Sequence, residues 1–401
     1  KVPATMPGLS NPVSQRVGVL GGGQLGRMMA YAAGRLGIQL IPLDPLGPKS
    51  PTGVVTSEAV TGHFNQEDKV LELSKLCDTM TVEIEHINTD ALFKLEKAGA
   101  VNVQPSASTL STIQDKFLQK VHLQKHGFPL ADFLEVSSIA DIKQVAEKFG
   151  YPMMLKSKRL AYDGKGNAVI ENEGGIPTAF ASLGGDRKED GEGAGHLYVE
   201  QWCPFTKELA VMVARSTTGE IACYPVVETT QQDSICHTVV APAAIPPEVA
   251  AAATKVCREA VATFDGAGVF GVELFLTDAN QILLNEIAPR PHNSGHYTIE
   301  ACSCDQFEQH LRAILGLPLG DTALRVGAAI MINILGDGDN SSTMEQSGAN
   351  ASLAVPGASL HWYGKGECRK GRKVGHITVT ADSPATLNSR VQLLNSLKKK
   401  P

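Results

Sequence analysis

The feature that most restricts the fold is an apolar run, residues 16–20, that ends in Gly21-Gly22-Gly23-Gln24-Leu25-Gly26. The pattern predicts a buried strand turning tightly into a helix over residues 24–36, with Gly37 as its stop. A second apolar run, residues 38–43, ends at Asp44; residues 69–76 and 90–98 have helical spacing, and residues 79–84 have strand character. Strands alternating with helices imply a parallel sheet with right-handed crossovers, here a doubly wound domain ending near Ser111. Gly21, Gly23 and Gly26, with Asp44 about 20 residues further on, also fit a dinucleotide fingerprint. Such a turn brings backbone amides up to a phosphate without saying whose. On these residues alone a nicotinamide dehydrogenase and a ligand-free tight turn both stay open.

Downstream the pattern changes. A helical connector (114–126) leads to short strands at 151–156, 168–171, 197–200 and 209–214, an Ala-rich helix at 250–264, and a hairpin joining 271–276 to 282–287. Strands at 326–335, 360–363 and 373–380 and a helix at 384–397 complete the chain. A chain of 401 residues is long for one domain. The expected division is a disordered leader (1–15), a Rossmann-like domain (16–112), a central domain (113–315) with a lid at about 150–205, and a small β-rich domain (316–401).

Composition excludes several classes. With 42 acidic against 36 basic residues there is no basic surplus of the kind a nucleic-acid binder shows. No apolar run approaches the roughly 20 residues that span a bilayer, and residues 1–15 lack the order of a signal peptide. Eight scattered cysteines without a C-x-x-C pair read as cytosolic free thiols.

The hairpin carries two carboxylates. If Leu276 faces Gln281, Glu273 lies opposite Leu284 and Glu286 is its diagonal neighbour on the same face, about 7–8 Å away. Asn285 then points the other way by strict alternation. A pair so placed suits Mg²⁺, which takes few carboxylates and completes its shell with phosphate oxygens and water; solvent-facing glutamates are the alternative. Arg290, His292 and Asn293 follow directly. Lys156 ends a strand before a glycine loop at 162–166, Lys116 opens a helical run, Glu200-Gln201-Trp202-Cys203 leaves a strand where an adenine hinge would sit, and Glu208 could accept from ribose hydroxyls.

In that order these residues resemble the ATP-grasp enzymes, and within them the N5-carboxyaminoimidazole ribonucleotide synthetase family. The likeness rests on residues 21–28, Glu83-Ile84-Glu85, Tyr162-Asp163-Gly164-Lys165-Gly166, the run 285–296 and Gly371-Arg372-Lys373-Val374-Gly375-His376, and it covers nearly the whole chain from Arg16. It implies an α/β ATP-grasp fold with a doubly wound parallel-sheet domain first, a central lid and ATP-grasp domain, and a small β-rich domain last. It implies ATP on Lys116, Lys156, Gly164, Gly166, Glu200, Gln201, Trp202, Cys203, Glu208, Gln231 and Asn285, with Mg²⁺ on Glu273 and Glu286. Relatives often carry Arg where Lys116 stands and His near Gln231.

The ribonucleotide would lie against Gly23, Gln24, Leu25, Glu83, Tyr162, Asp163, His292, Asn293, Lys365 and Arg372, its 5′-phosphate near the glycine turn with Lys365 and Arg372 as counter-charge. Asp163, Arg290 and Asn293 are the expected catalytic groups: Asp163 to orient or deprotonate the amine, Arg290 to hold bicarbonate or developing phosphate charge. The implied reaction carboxylates 5-aminoimidazole ribonucleotide with ATP and bicarbonate, through carboxyphosphate or CO₂ released from it. The loop at 162–166 and the Gly-rich insert at 184–195 would close over these short-lived species. The resemblance further implies a cytoplasmic homodimer, and the basic end at 398–401 fits a cut from a fusion to a carboxylase or mutase domain.

Overall fold

A computed structural model describes residues 15–159, 166–185 and 196–398. The expected leader up to residue 14, the loop at 160–165, the insert at 186–195 and the tail at 399–401 lie outside the described residues.

The first sheet is wholly parallel. Its order is Val60–Thr61, Gln39–Asp44, Arg16–Leu20, Thr79–Val82 and Asn102–Val103. Arg16–Leu20 is central and flanked on both sides, so its apolar residues serve both faces. Val17 and Val19 pack with Met28, Met29 and Ala32 of the helix Gln24–Arg35, while Leu20 packs with Ile41, Leu43 and Leu73 on the opposite face. The helix stops where expected, with Gly37 at φ +67°. Phe307, Leu311 and Ile314 of the helix Gln306–Ile314 join the Val17 cluster and tie this domain to the rest.

The central sheet has nine strands. Its main path runs Ile282–Ala288, Gly268–Thr277, Phe205–Arg215, Val227–Gln232, Ile235–Ala241, Ala328–Leu335, Lys373–Ala381 and Ala358–Trp362, and Ile221–Cys223 pairs beside Phe205–Arg215. The three strands of the C-terminal segment thus extend the central sheet: Thr238 pairs with Ile332. Helix Pro247–Ala262 covers one face through Val249, Ala253, Cys257 and Val261.

A third, four-stranded antiparallel sheet has the order Phe133–Val136, Leu197–Gln201, Met153–Ser157 and Asn167–Ile170. Helices Ile139–Phe149 and Ile176–Ser182 pack on it. The small sheet begins upstream of the expected lid, because Phe133–Val136 pairs with Leu197–Gln201.

The helical connector also differs from expectation. It begins at Lys116, since Asp115 is its N-cap and Asp115 Oδ1 accepts from the Phe117 and Leu118 amides at 3.0 Å each. The preceding residues form a separate helix, Ala107–Gln114. Among the described residues no disulfide joins any of the eight cysteines, and no helix is long and apolar enough to cross a membrane.

Candidate active site

The carboxylate pair is real, but its register differs from the sequence reading. The loop Asp278-Ala279-Asn280 leaves Thr277 facing Gln281, with Asn280 left-handed at φ +57°, so Leu276 pairs with Ile282. Continued unbroken, that register would set Glu286 opposite Val272, on the other face from Glu273. A β-bulge intervenes: Leu274 pairs with Leu284, Asn285 is the extra residue, and Glu273 pairs directly with Glu286. The two glutamates are therefore cross-strand neighbours rather than diagonal ones.

Burial, then the nearby Glu286 and Glu208, raise the pKa of Glu273. Burial also pushes Glu286 up, but Lys116 and Lys156 outweigh it and hold that carboxyl low. Asn285 Oδ1 is buried with no hydrogen-bond partner among the described residues. An unpaired buried acceptor beside two crowded carboxylates is the donor set a hard cation satisfies. Among the described residues no three His, Cys, Asp or Glu side chains form a complete metal cage. The residues fit Mg²⁺ that takes the rest of its shell from phosphate oxygens and water.

The lysines converge on this pair from the other side. Lys116 makes an ion pair with Glu286. Its helix is fixed by Gln119, whose amide donates to Ile287 O and accepts from Ile287 N, both at 2.8 Å. That clamp presents Lys116 and, one turn on, Lys120 toward the cleft. Lys156 approaches from the small sheet, and its Nζ is 3.3 Å from Glu200 Oε1.

The side chain of Glu200 turns inward to the lysines, so only its backbone and residues 201–203 are placed to serve as a hinge. Gln201 and Trp202 are exposed and Cys203 half-buried. Glu208 faces Thr229 on the neighbouring strand. Burial raises its pKa, while contacts with Gln231 and Thr229 oppose that, which brings the expected ribose group and Gln231 together. Gly166 lies just after the 160–165 gap with φ +82°; Tyr162, Asp163 and Gly164 are outside the described residues.

The glycine turn is occupied by the protein itself. Glu83 accepts from the Gly23 amide and from the Gly26 amide at 2.6 Å. Asp44 accepts from Gly22 N at 3.1 Å and Leu46 N at 2.8 Å. Both carboxylates are thus spent on the turn, which removes the basis for a dinucleotide fingerprint. The expected phosphate contact would likewise have to come from outside these amides. At Gly21, with φ +106°, a Cβ would fall 2.6 Å from Glu83 Cγ, and at Gly23 a Cβ would fall 2.8 Å from Glu83 Oε1 and displace that carboxylate from the turn.

Leu25 was expected at the substrate. Its side chain is instead core, packed with Val17 and Met29, because it lies on the buried face of its helix. Gln24 stays partly exposed at the helix start.

Arg290 Nη2 lies 2.7 Å from Glu85 Oε1 and donates to Glu85 Oε2 at 2.9 Å, and its Nε is buried without a partner among the described residues. His292 Nδ1 lies 2.7 Å from Ser294 Oγ, and its Nε2 is 3.7 Å from Glu273 Oε1. Burial, then Arg290 and Lys373, lower its pKa to about 4, so the ring is neutral near pH 7. Asn293 exchanges two amide hydrogen bonds with Asn333, at 2.9 and 2.6 Å. That reciprocal pair engages one N–H and the carbonyl oxygen of the Asn293 side chain and fixes its orientation. Lys365 Nζ donates to Lys373 O at 2.7 Å, and Arg372 donates to Glu367 O at 3.2 Å.

Lys120, Asn333 and Gln119 are site residues that the sequence reading passed over, and Glu85 was named only within the Glu83-Ile84-Glu85 motif, with no part of its own. Lys120 alone had a local signal, the four-residue spacing from Lys116.

Lysines and a carboxylate pair that meet between two antiparallel sheets, after a parallel N-terminal domain, are the arrangement of an ATP-grasp enzyme. Family models match accordingly: a ribonucleotide synthetase preATP-grasp domain over residues 14–114, an ATP-grasp domain over 121–307, and a phosphoribosylaminoimidazole carboxylase C-terminal domain over 329–390. Carboxyaminoimidazole ribonucleotide synthase from Aspergillus clavatus, solved with ATP, is similar at TM-score 0.89 and 44% identity, over 96% of this chain and 99% of that one. The N5-carboxyaminoimidazole synthase from the same organism, in complex with ADP and 5-aminoimidazole ribonucleotide, gives 0.88 and 43% over 96% and 99%. N5-carboxyaminoimidazole ribonucleotide synthase of Synechococcus elongatus is 40% identical over 94% of this chain and 92% of its own length.

This chain belongs to the N5-carboxyaminoimidazole ribonucleotide synthase family. Phosphoribosylaminoimidazole carboxylase of Schizosaccharomyces pombe is 49% identical, and the match spans 96% of this chain but 68% of that protein. The corresponding share of the Vigna aconitifolia protein is 66%.

Proposed function

We propose that the chain carboxylates the exocyclic amine of 5-aminoimidazole ribonucleotide in purine biosynthesis, consuming ATP and bicarbonate and giving N5-carboxyaminoimidazole ribonucleotide, ADP and phosphate. The observation that carries this reading is the Arg290–Glu85 ion pair. It joins the strand end that bears Glu83 to the run that follows the carboxylate hairpin, so an acceptor on the first domain and a nucleotide on the second meet at one place. The relatives solved with ATP, and with ADP and the ribonucleotide, support the same pair of ligands.

Bicarbonate is a poor electrophile, and moving the γ-phosphoryl onto one of its oxygens gives it a leaving group. The amine then attacks the carbon of carboxyphosphate, or of CO₂ released from it, and phosphate departs while the amine loses a proton. Phosphoryl transfer asks mainly for positioning and charge neutralisation. Lys156 and Lys116 supply positive charge there. Mg²⁺ bound at Glu273 and Glu286 would add charge on the phosphate oxygens.

The buried Arg290 Nε–H has no partner among the described residues, and we assign that donor to bicarbonate or the developing phosphate charge. Asp163 keeps the amine-orienting part that the resemblance gives it. Lys365 and Arg372 are the counter-charges for the substrate phosphate. The expected homodimer and cytoplasmic location are part of this proposal, tested by light scattering and by imaging the tagged chain.

Incubation with ATP, ¹³C-bicarbonate and the ribonucleotide tests the reaction. A carbamate carbon bonded to the exocyclic nitrogen supports it, and ADP formed without any labelled ribonucleotide contradicts it.

A further inference from the structure

Glu200 stands between two lysines. One oxygen, Oε1, is 3.1 Å from Lys120 Nζ and 3.3 Å from Lys156 Nζ. The side chains of Lys120, Lys156 and Glu200 are 3%, 11% and 6% exposed. Lys156 has a part in the nucleotide site proposed above; Lys120 has none.

A lysine this buried is costly unless its charge is compensated, and Lys120 is held in place by more than that charge. Gln119, the preceding residue, is bonded twice to Ile287, one residue beyond Glu286. Lys120 is therefore presented to Glu200 by a fixed helix and does not simply follow the carboxylate. Burial pushes the Glu200 carboxyl up, but Lys120 first and Lys156 second reverse this and hold it low. Burial pulls the pKa of Lys120 down, and Glu200 is the first group to oppose that; with both lysines protonated the triad carries one negative and two positive charges, one positive charge in surplus.

Where that surplus sits matters to ATP. If Lys120 were absent, Glu200 and Lys156 would form an isolated buried pair. Their attraction in a low-dielectric site is strong, and a phosphate would have to compete with Glu200 for the Lys156 ammonium. With Lys120 present, the carboxylate is already compensated from the helix side.

We propose that Lys120 is a positioning residue, the fixed counter-ion of Glu200 that leaves the charge of Lys156 available to nucleotide phosphate. The proposal rests on the ATP-site reading above and deepens it. Lys120 itself touches no phosphate; it acts through Glu200 on Lys156.

A double-mutant cycle on the full chain tests this, with ADP affinity from calorimetry and KM for ATP as readouts. Lys120→Gln should weaken ADP and raise KM for ATP about tenfold or more, with a smaller change in kcat. In a Glu200→Gln background the same substitution should change both by less than about twofold, because no carboxylate remains to capture Lys156. Lys120→Arg, which keeps the charge, should stay closer to the parent than Lys120→Gln does. An equal loss from Lys120→Gln in both backgrounds would overturn the proposal, since a packing defect does not depend on the charge of Glu200. An Arg variant as impaired as the Gln variant would overturn it too. Failure of the parent chain to bind ADP would instead strike at the nucleotide site itself.

Discussion

Glu273 and Glu286 face each other across the hairpin because the strand Ile282–Ala288 carries one extra residue, Asn285. The turn register alone would put the two carboxylates on opposite faces of the sheet. The bulge brings them to one face, where burial and then the charge of Glu286 raise the pKa of Glu273. A like-charge pair held this way is unfavourable in isolation and becomes favourable when a cation lies against it.

Glu286→Gln should therefore lower kcat by at least about a hundredfold with both substrates saturating. The thermal midpoint should fall, because Lys116 and Lys156 hold Glu286 ionised and the Gln variant leaves the Lys116 ammonium without its carboxylate partner. Steady-state ADP release and a melting curve check both halves; a near-normal rate would remove Glu286 from the metal site.

Arg372→Ala should raise KM for the ribonucleotide about tenfold, the loss of one charge-assisted contact, and leave KM for ATP nearly unchanged. Initial rates with each substrate varied separately check this. Equal changes in the two KM values would argue against a substrate-phosphate part for Arg372.

His310 predicts a pH dependence of stability. The Val269 amide donates to its Nδ1 at 3.0 Å, so the ring proton is on Nε2 and is donated to Thr81 Oγ1 at 2.8 Å. Burial lowers its pKa from 6.5 to about 3. Between those values the unfolded chain holds a proton that the folded chain does not, so stability falls as pH drops through that window, by up to roughly 1.4 kcal/mol per pH unit. Urea midpoints measured from neutral to mildly acidic pH should fall less steeply for His310→Gln than for the parent.

Asn333→Leu should cost about 1–3 kcal/mol, because it strands the Asn293 amide in a buried site and breaks the Asn333 bond to Cys236 O at 2.9 Å. Denaturant unfolding measures it, and a cost near zero would mean that the amide finds water.

Much of the architecture was legible because it is local. The turn Gly21 to Gly26, the helix Gln24–Arg35 and the parallel strands each follow from runs of neighbouring residues. The order of Lys116, Lys156, Glu200, Glu273 and Glu286 likewise marked out lysines and carboxylates that the fold brings together. What was not legible depends on non-local register. A hairpin reading one residue out placed Glu286 diagonally, and strict alternation hid Asn285. The meeting of Asn293 with Asn333, 40 residues away, and of Arg290 with Glu85, 205 residues away, leaves no periodic trace. Glu83 shows the same limit: a glycine-rich turn predicts an anion, and the anion proved to be a carboxylate of the chain itself.

The most direct test of the account is ADP release with Mg²⁺, measured with bicarbonate present throughout and with the ribonucleotide added or withheld. 5-Aminoimidazole ribonucleotide should stimulate ADP release strongly, and Glu286→Gln should abolish that stimulation. ATP turnover indifferent to the ribonucleotide would contradict the assigned acceptor.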